Sequence, residues 1–336
     1  MKQKTAISLI IIFAFGIGIL IGTSINSHHP IKSGNIPFVK FDDTLNHLWD
    51  TSFKDVLIKS SIDSSTQKAY FFPTTATYPQ PLIVSLHSWS GNYTQFDTIS
   101  ILSKNKNWNY IHPDFRGNNV RKEACCSDFV SSDIDDAITY AIRNSNVDTN
   151  RIYVMGYSGG GMATLFTFMK SKHKIRKFSA WVPVTDLTAF YHQGLIRHNK
   201  YPAEAISCAG SENNSINYIE AEKRSPLYLK TPIEKLNYSK LDIYTGIYDG
   251  IQGSVPISHA VDFYNKIIKD LKVTDQQFYV SDYEKSMLYN QLKPGNDKGL
   301  IGNRLIFLKK KYKNVQLVIF EGNHEMLPVY AIENMN

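Results

Sequence analysis

Five residues set a serine between glycines, Gly156-Tyr157-Ser158-Gly159-Gly160, in the spacing G-x-S-x-G. A serine hydroxyl is a weak nucleophile until a base takes its proton, and the base needs an acid to hold its tautomer. The glycines flanking Ser158 suit a sharp strand-to-helix turn that exposes the hydroxyl, a turn whose backbone other residues enter only with strain. The partners are sought beyond the ends of later strands. His324 follows the apolar run 316–320 (QLVIF) in Glu321-Gly322-Asn323-His324. Asp249 follows the run 241–245 (LDIYT) in Gly246-Ile247-Tyr248-Asp249-Gly250. Other histidines fit less well: His87 and His112 precede the serine, His173 and His198 sit in polar surroundings, and His259 opens a helical pattern. Asp242 lies at the wrong end of its strand and Asp262 inside a helix. The oxyanion that acyl transfer creates needs two backbone N–H donors. Gly159 offers one, and the loop after residues 81–87 (PLIVSLH) offers the other at Ser88 or Trp89.

These residues need a scaffold that brings strand ends together. Apolar runs of about five residues bounded by turn signals read as strands buried on both faces. They lie at 68–72, 82–86, 108–112, 151–155, 178–182, 241–245 and 316–320. Helical patterns fall between them at 132–143, 159–170 and 258–271. The alternation predicts a mostly parallel sheet with helices on both faces. Residues 185–224 and 275–304 break the alternation and read as lid-like insertions, and residues 26–65 as an N-terminal arm.

The length of 336 residues allows one large domain or two small ones, and 43% hydrophobic with 20% charged residues excludes a disordered or fibrous chain. The net charge of +7 is concentrated partly at Lys309, Lys310, Lys311 and Lys313, which read as a solvated helix face. No stacking platform or reading helix accompanies them, so no nucleic-acid role is expected. Residues 6–22 are uncharged and apolar and follow Lys2 and Lys4. This is the layout of a signal peptide or of an uncleaved N-terminal membrane anchor, and either puts the remainder outside the cytoplasm, periplasmic or secreted. An oxidising compartment permits a disulfide, and the expectation pairs Cys125 or Cys126 with Cys208. Neither cysteine nor histidine spacing suggests a metal site, and no metal or organic cofactor is expected.

At this point the sequence resembles an α/β-hydrolase of the prolyl oligopeptidase catalytic-domain family. The matching pieces run in family order over roughly residues 66–330: PLIVSLH, Pro113-Asp114-Phe115-Arg116-Gly117, Asp133-Ile134-Asp135-Asp136, the GYSGGGMA turn, Arg224-Ser225-Pro226-Leu227, Gly246-x-x-Asp249, Val255-Pro256-Ile257-Ser258 and Gly322-x-His324. The resemblance implies the α/β-hydrolase fold over residues 66–336, with Ser158 as nucleophile, Asp249 as acid and His324 as base. It also departs from the family. His87-Ser88-Trp89-Ser90 replaces the frequent His-Gly-Gly-Pro, with Trp89 the best counterpart as donor, and Gly250–Ser254 lengthens the acid loop. No propeller-like repeat is seen, so the expectation is a catalytic domain without the gating β-propeller, and peptidase specificity is not implied. The expected substrate is a small ester, an acylated glycan or a short peptide, with esters turned over more readily. The alternatives are a true peptidase on short peptides and an inactive hydrolase fold used for binding.

Overall fold

The computed structural model describes residues 49–295 and 299–335. Its strands are β1 (Lys54–Lys59), β2 (Thr66–Phe72), β3 (Gln80–Leu86), β4 (Asn109–Pro113), β5 (Val147–Tyr157), β6 (Lys177–Trp181), β7 (Ser211–Glu212), β8 (Ser215–Ile216), β9 (Lys240–Gly246), β10 (Leu300–Ile301), β11 (Arg304–Tyr312) and β12 (Val315–Phe320). The helices are α1 (Thr98–Asn105), α2 (Asp128–Asn144), α3 (Gly159–Lys170), α4 (Leu187–Ile196), α5 (Tyr201–Ala209), α6 (Tyr218–Arg224), α7 (Ser258–Asp270), α8 (Asp282–Tyr289) and α9 (Pro328–Glu333).

Ten of the strands form one sheet in the order β1-β2-β4-β3-β5-β6-β9-β12-β11-β10. Its centre, from β4 to β12, is parallel, and β1, β2, β10 and β11 flank it antiparallel. The central strands are short apolar runs because helices cover both of their faces. β3 is buried along its whole length, as is α3 from Gly159 to Met169, which lies against the sheet centre. The predicted alternation is therefore the observed one, and all seven expected strands are present.

Three expectations change. The arm read over residues 26–65 contains β1, which pairs with β2 as an edge strand. Its sequence, KDVLIK, faces the core through Ile58 and partly Val56, so it lacks the continuous apolar run of an inner strand. Lys309, Lys310 and Lys311 lie on a strand, β11, and not on a helix. There RLIFLKKKY alternates between core and solvent, the pattern of a strand with one wet face. The two insertions also carry structure of their own. Residues 185–224 fold into α4, α5, the two-residue hairpin β7–β8 and α6, and 275–304 contain α8, opened by a capping box of Ser281 and Glu284. The signal peptide or anchor expected at residues 6–22 lies outside the described residues. Among the described residues no helix is long and apolar enough to cross a membrane.

Candidate active site

β5 ends at Tyr157, α3 begins at Gly159, and Ser158 makes the turn alone with φ 59° and ψ −122°. A non-glycine residue with positive φ is strained, and such strain persists only where the surroundings over-determine it. Here they do. The Ser158 N–H donates to the Trp181 carbonyl at the end of β6 (2.9 Å), and its own carbonyl accepts from Met162 N–H (2.9 Å). A Cβ on Gly160 would strike the Leu86 and His87 carbonyls at the end of β3, and one on Gly159 would lie 2.5 Å from the backbone nitrogen of Trp89. The turn thus closes onto the loop after β3, and the N-terminus of α3 meets Trp89 backbone to backbone.

That contact bears on the second donor. The Ser88 N–H donates to the side-chain carbonyl of buried Gln95 (2.7 Å) and is occupied. The Trp89 N–H meets no protein acceptor among the described residues, and neither does the Gly159 N–H on the first turn of α3. Gln95 was not singled out from the sequence. Its amide also donates to Ser88 Oγ (3.1 Å) and to Tyr157 Oη (3.0 Å), which ties the loop to the residue preceding the serine. The His87 ring stacks on Phe115 at 3.9 Å and contacts the Ser88 and Asp114 carbonyls, bracing the loop from behind.

Further along the same sheet edge, Phe320 of β12 pairs with Gly246 of β9, so the loops after the two strands emerge side by side. His324 Nδ1 and Asp249 Oδ2 lie 2.8 Å apart, with the carboxyl side chain fully buried and the imidazole 17% exposed. The other carboxyl oxygen accepts from the Gly250 and Val255 N–H groups (2.9 and 3.0 Å), so Asp249 is satisfied on both oxygens. Asp242 lies at the start of β9 and pairs with Lys177 (2.7 Å), far from this loop.

The loop after Asp249 has an external support that the sequence did not reveal. Arg197, just after α4, donates from Nη1 to the Ser254 carbonyl (2.8 Å) and from Nη2 to the Gly250 and Gly253 carbonyls. One guanidinium from the first insertion thereby gathers three carbonyls of residues 250–254. The same insertion reaches the loop after β3. Trp89 Nε1 donates to Glu204 (2.7 Å), and the Trp89 ring packs on Phe190 and Tyr201. His259, the first-turn residue of α7, accepts on Nδ1 from Thr185 N–H (3.2 Å) and faces Gln193 through Nε2 (2.9 Å). Burial pushes its pKa down to about 4. His112 is also buried, and desolvation together with neighbouring His87 lowers its pKa to about 3. Both are neutral structural imidazoles. Cys125 and Cys208 form a disulfide that joins the loop before α2 to α5, and Cys126 is a buried thiol. Among the described residues no cluster of ligating side chains could hold a metal ion.

The sequence model of the prolyl oligopeptidase family matches residues 96–287, which include Ser158, Gly159 and Asp249; Trp89 and His324 lie outside that span. No curated protein matches the chain by sequence. Solved structures share the fold at low identity. An acylaminoacyl peptidase of Pyrococcus horikoshii superposes with a TM-score of 0.56 at 17% identity, over 84% of this chain and 40% of its own. A puromycin-hydrolysing peptidase of Mycobacterium tuberculosis gives 0.54 at 13%, over 86% and 39%. Prolyl oligopeptidase B of Galerina marginata gives 0.51 at 16%, over 67% and 33%. The chain therefore spans about two fifths or less of the length of these proteins.

Proposed function

The chain belongs to the prolyl oligopeptidase family and is a serine hydrolase, and from that premise we propose that Ser158, His324 and Asp249 are its catalytic triad. In this reading Ser158 Oγ attacks a substrate carbonyl while His324 takes the hydroxyl proton. Asp249 holds the imidazole by its Nδ1 side and stabilises the imidazolium that forms. The carbonyl oxygen becomes an oxyanion met by the N–H groups of Gly159 and Trp89. Collapse of the tetrahedral intermediate expels the alcohol or amine, which takes the proton back from His324 and leaves an acyl-enzyme. Water, deprotonated by His324, then releases the acid and regenerates Ser158.

The observation that carries the reading is the pairing of a strained serine turn with a buried carboxylate 2.8 Å from an imidazole, both at the C-terminal edge of one parallel sheet. The substrate is a small acyl donor: short-chain esters, including acetylated glycans, with short peptides cleaved more slowly. A second reading reverses that preference. One acylaminoacyl peptidase of the same fold is held in complex with Z-Gly-Gly-Phe-chloromethyl ketone, and a peptidic substrate for this chain would follow from likeness to it. Export from the cytoplasm is part of the proposal, supported by the apolar stretch 6–22 behind two lysines and by the Cys125–Cys208 disulfide. A reporter active only outside the cytoplasm, fused after residue 25, should score positive.

The test of the chemistry is labelling by a fluorophosphonate probe. The wild-type chain should react and Ser158→Ala should not, with kcat down by about 10⁵-fold or more and an unchanged melting temperature. A tenth of the activity surviving in Ser158→Ala excludes the assignment, and an unlabelled wild-type chain returns the fold to a binding role. Parallel kcat/KM values on p-nitrophenyl acetate, an acetylated glycan and a proline-containing peptide separate the substrate readings.

A further inference from the structure

The opposite edge of the sheet holds a cavity of about 220 Å³, lined by five lysines and a single carboxylate. Its arrangement follows from strand register. Lys177 opens β6 and pairs across the ladder with Lys240, which opens β9. In the next row of that face Asp242 of β9 is opposite Gln316 of β12, which is opposite Lys311 of β11. One row further, Tyr244 leads through Val318 to Lys309. Because side chains alternate with period two, these residues share one face. Lys313, in the turn after β11, and Tyr330 and Asn334, from α9 and just beyond it, close the rim.

The charges do not balance internally. Lys177 is buried and spends its ammonium on Asp242 (2.7 Å) and the Asn334 carbonyl (2.5 Å). No carboxylate pairs with Lys309, Lys311 or Lys313 among the described residues, whereas neighbouring Lys310, pointing to the other side, is bound to Glu284 (2.8 Å). Like charges opposite one another on adjacent strands cost stability. Consistent with this crowding, the Lys240 ammonium is pushed below its ordinary pKa, chiefly by burial and then by Lys177 and Arg176. Lysines on an outer strand also discourage edge pairing between copies. That role needs neither a concave arrangement nor the row of buried Lys177 and half-buried Lys240 at its floor.

We propose that this cavity is a binding site for a phosphate-bearing anion, distinct from the hydrolase site. Lysine is a point-charge donor suited to phosphate oxygens, and the phenols of Tyr244 and Tyr330 complete a polar lining. The site lies at the beginning of β9 while Asp249 follows its end, roughly 20 Å away along the strand at about 3.3 Å per residue. Occupancy therefore leaves the substrate carbonyl unobstructed and can hold the enzyme on a phosphate-rich surface while it works.

The experiment uses the full chain and two kinds of phosphate. Pyrophosphate is titrated against thermal stability and by calorimetry at constant ionic strength. Co-sedimentation is measured with phosphatidylglycerol vesicles and with phosphatidylcholine vesicles. The test variant combines Lys309→Gln, Lys311→Gln and Lys313→Gln; the control combines Lys54→Gln, Lys59→Gln and Lys170→Gln, also exposed and equal in charge change. The proposal expects wild-type binding to pyrophosphate, to phosphatidylglycerol vesicles, or to both. It also expects at least a tenfold loss in the test variant, less than a twofold change in the control, and unchanged ester hydrolysis in all three proteins. Binding to pyrophosphate identifies a soluble phosphate ligand, and binding to the anionic vesicles alone identifies a lipid headgroup. Absence of binding to both probes, or an equal loss in the control, overturns the site.

Discussion

Two turns at the same sheet edge present the proposed chemistry, and they are built by opposite means. The turn around Ser158 is shaped by its own residues: Gly159 and Gly160 permit backbone contact with Trp89 and with the end of β3, and strand pairing supplies the remainder. The loop carrying Asp249 is built differently. It takes its shape from residues far away in sequence, above all the three-carbonyl grip of Arg197. A locally encoded turn tolerates change in the insertions, whereas a remotely held loop makes the acid depend on them.

After the loss of the serine itself, the largest expected effect lies on Asp249. Asp249→Asn should lower kcat by about 10⁴-fold with little change in folding, because an amide cannot enforce the required imidazole tautomer. The same loss from Asp242→Asn, with Asp249→Asn active, would move the acid to the other end of β9. Next comes the local turn. Gly160→Ala forces a methyl onto the Leu86 and His87 carbonyls, and a clash with backbone that cannot yield should destabilise the protein by about 3 kcal/mol. Denaturant midpoints measure it, and a variant of wild-type stability would show that the turn has slack.

Legibility in the sequence divides along the same line. The elbow, the seven inner strands and the candidate residues Ser158, Asp249 and His324 could be read because each depends on local pattern: glycine spacing, a buried run, a position just past its end. Local pattern leaves Ser88 and Trp89 as alternative donors and the resemblance favours Trp89; the hydrogen bond by which Gln95 occupies the Ser88 N–H agrees with that preference and has no signal in the sequence. Gln95 and Arg197 left no local signal, since an isolated Gln or Arg is ordinary; Gln95 matters through Ser88 and through Tyr157, 62 residues away, and Arg197 through carbonyls 53–57 residues away. β1 and β11 escaped because edge and half-wet strands lack the continuous apolar run that marks inner ones. The lysines of β11 were misread because helical and extended solvent faces look alike in composition.

Arg197 tests the remote half of the comparison directly. Arg197→Ala should lower kcat by about tenfold to a hundredfold with KM nearly unchanged, since a small displacement of a positioning loop carries that penalty. Arg197→Lys should rescue little, because one ammonium cannot span the Gly250, Gly253 and Ser254 carbonyls as a planar fork does. Full activity in Arg197→Ala would show that the loop holds its own shape, and the contrast between the two turns would disappear.

The smallest effect sharpens the contrast through pH. His259 joins α7 to the first insertion as a neutral imidazole, with its folded pKa near 4 against about 6.5 in an unfolded chain. Between those values the unfolded state binds the extra proton. The stability contributed by the neutral form is therefore present above pH 6.5 and is lost as pH falls toward 4, at about 1 kcal/mol per pH unit. His259→Gln preserves an acceptor for the Thr185 N–H and removes the titration. Buried Asp97 and Asp133, whose pKa values are raised by desolvation, titrate in both proteins and cancel in the comparison. Unfolding free energies at pH 6.5, 5.5 and 4.5 should show the wild-type advantage over His259→Gln shrinking by about 1 kcal/mol at each step. Parallel pH profiles would mean that the imidazole takes up its proton without opening the junction, and that the insertion is held over the acid loop by Arg197 and Trp89 rather than by this histidine.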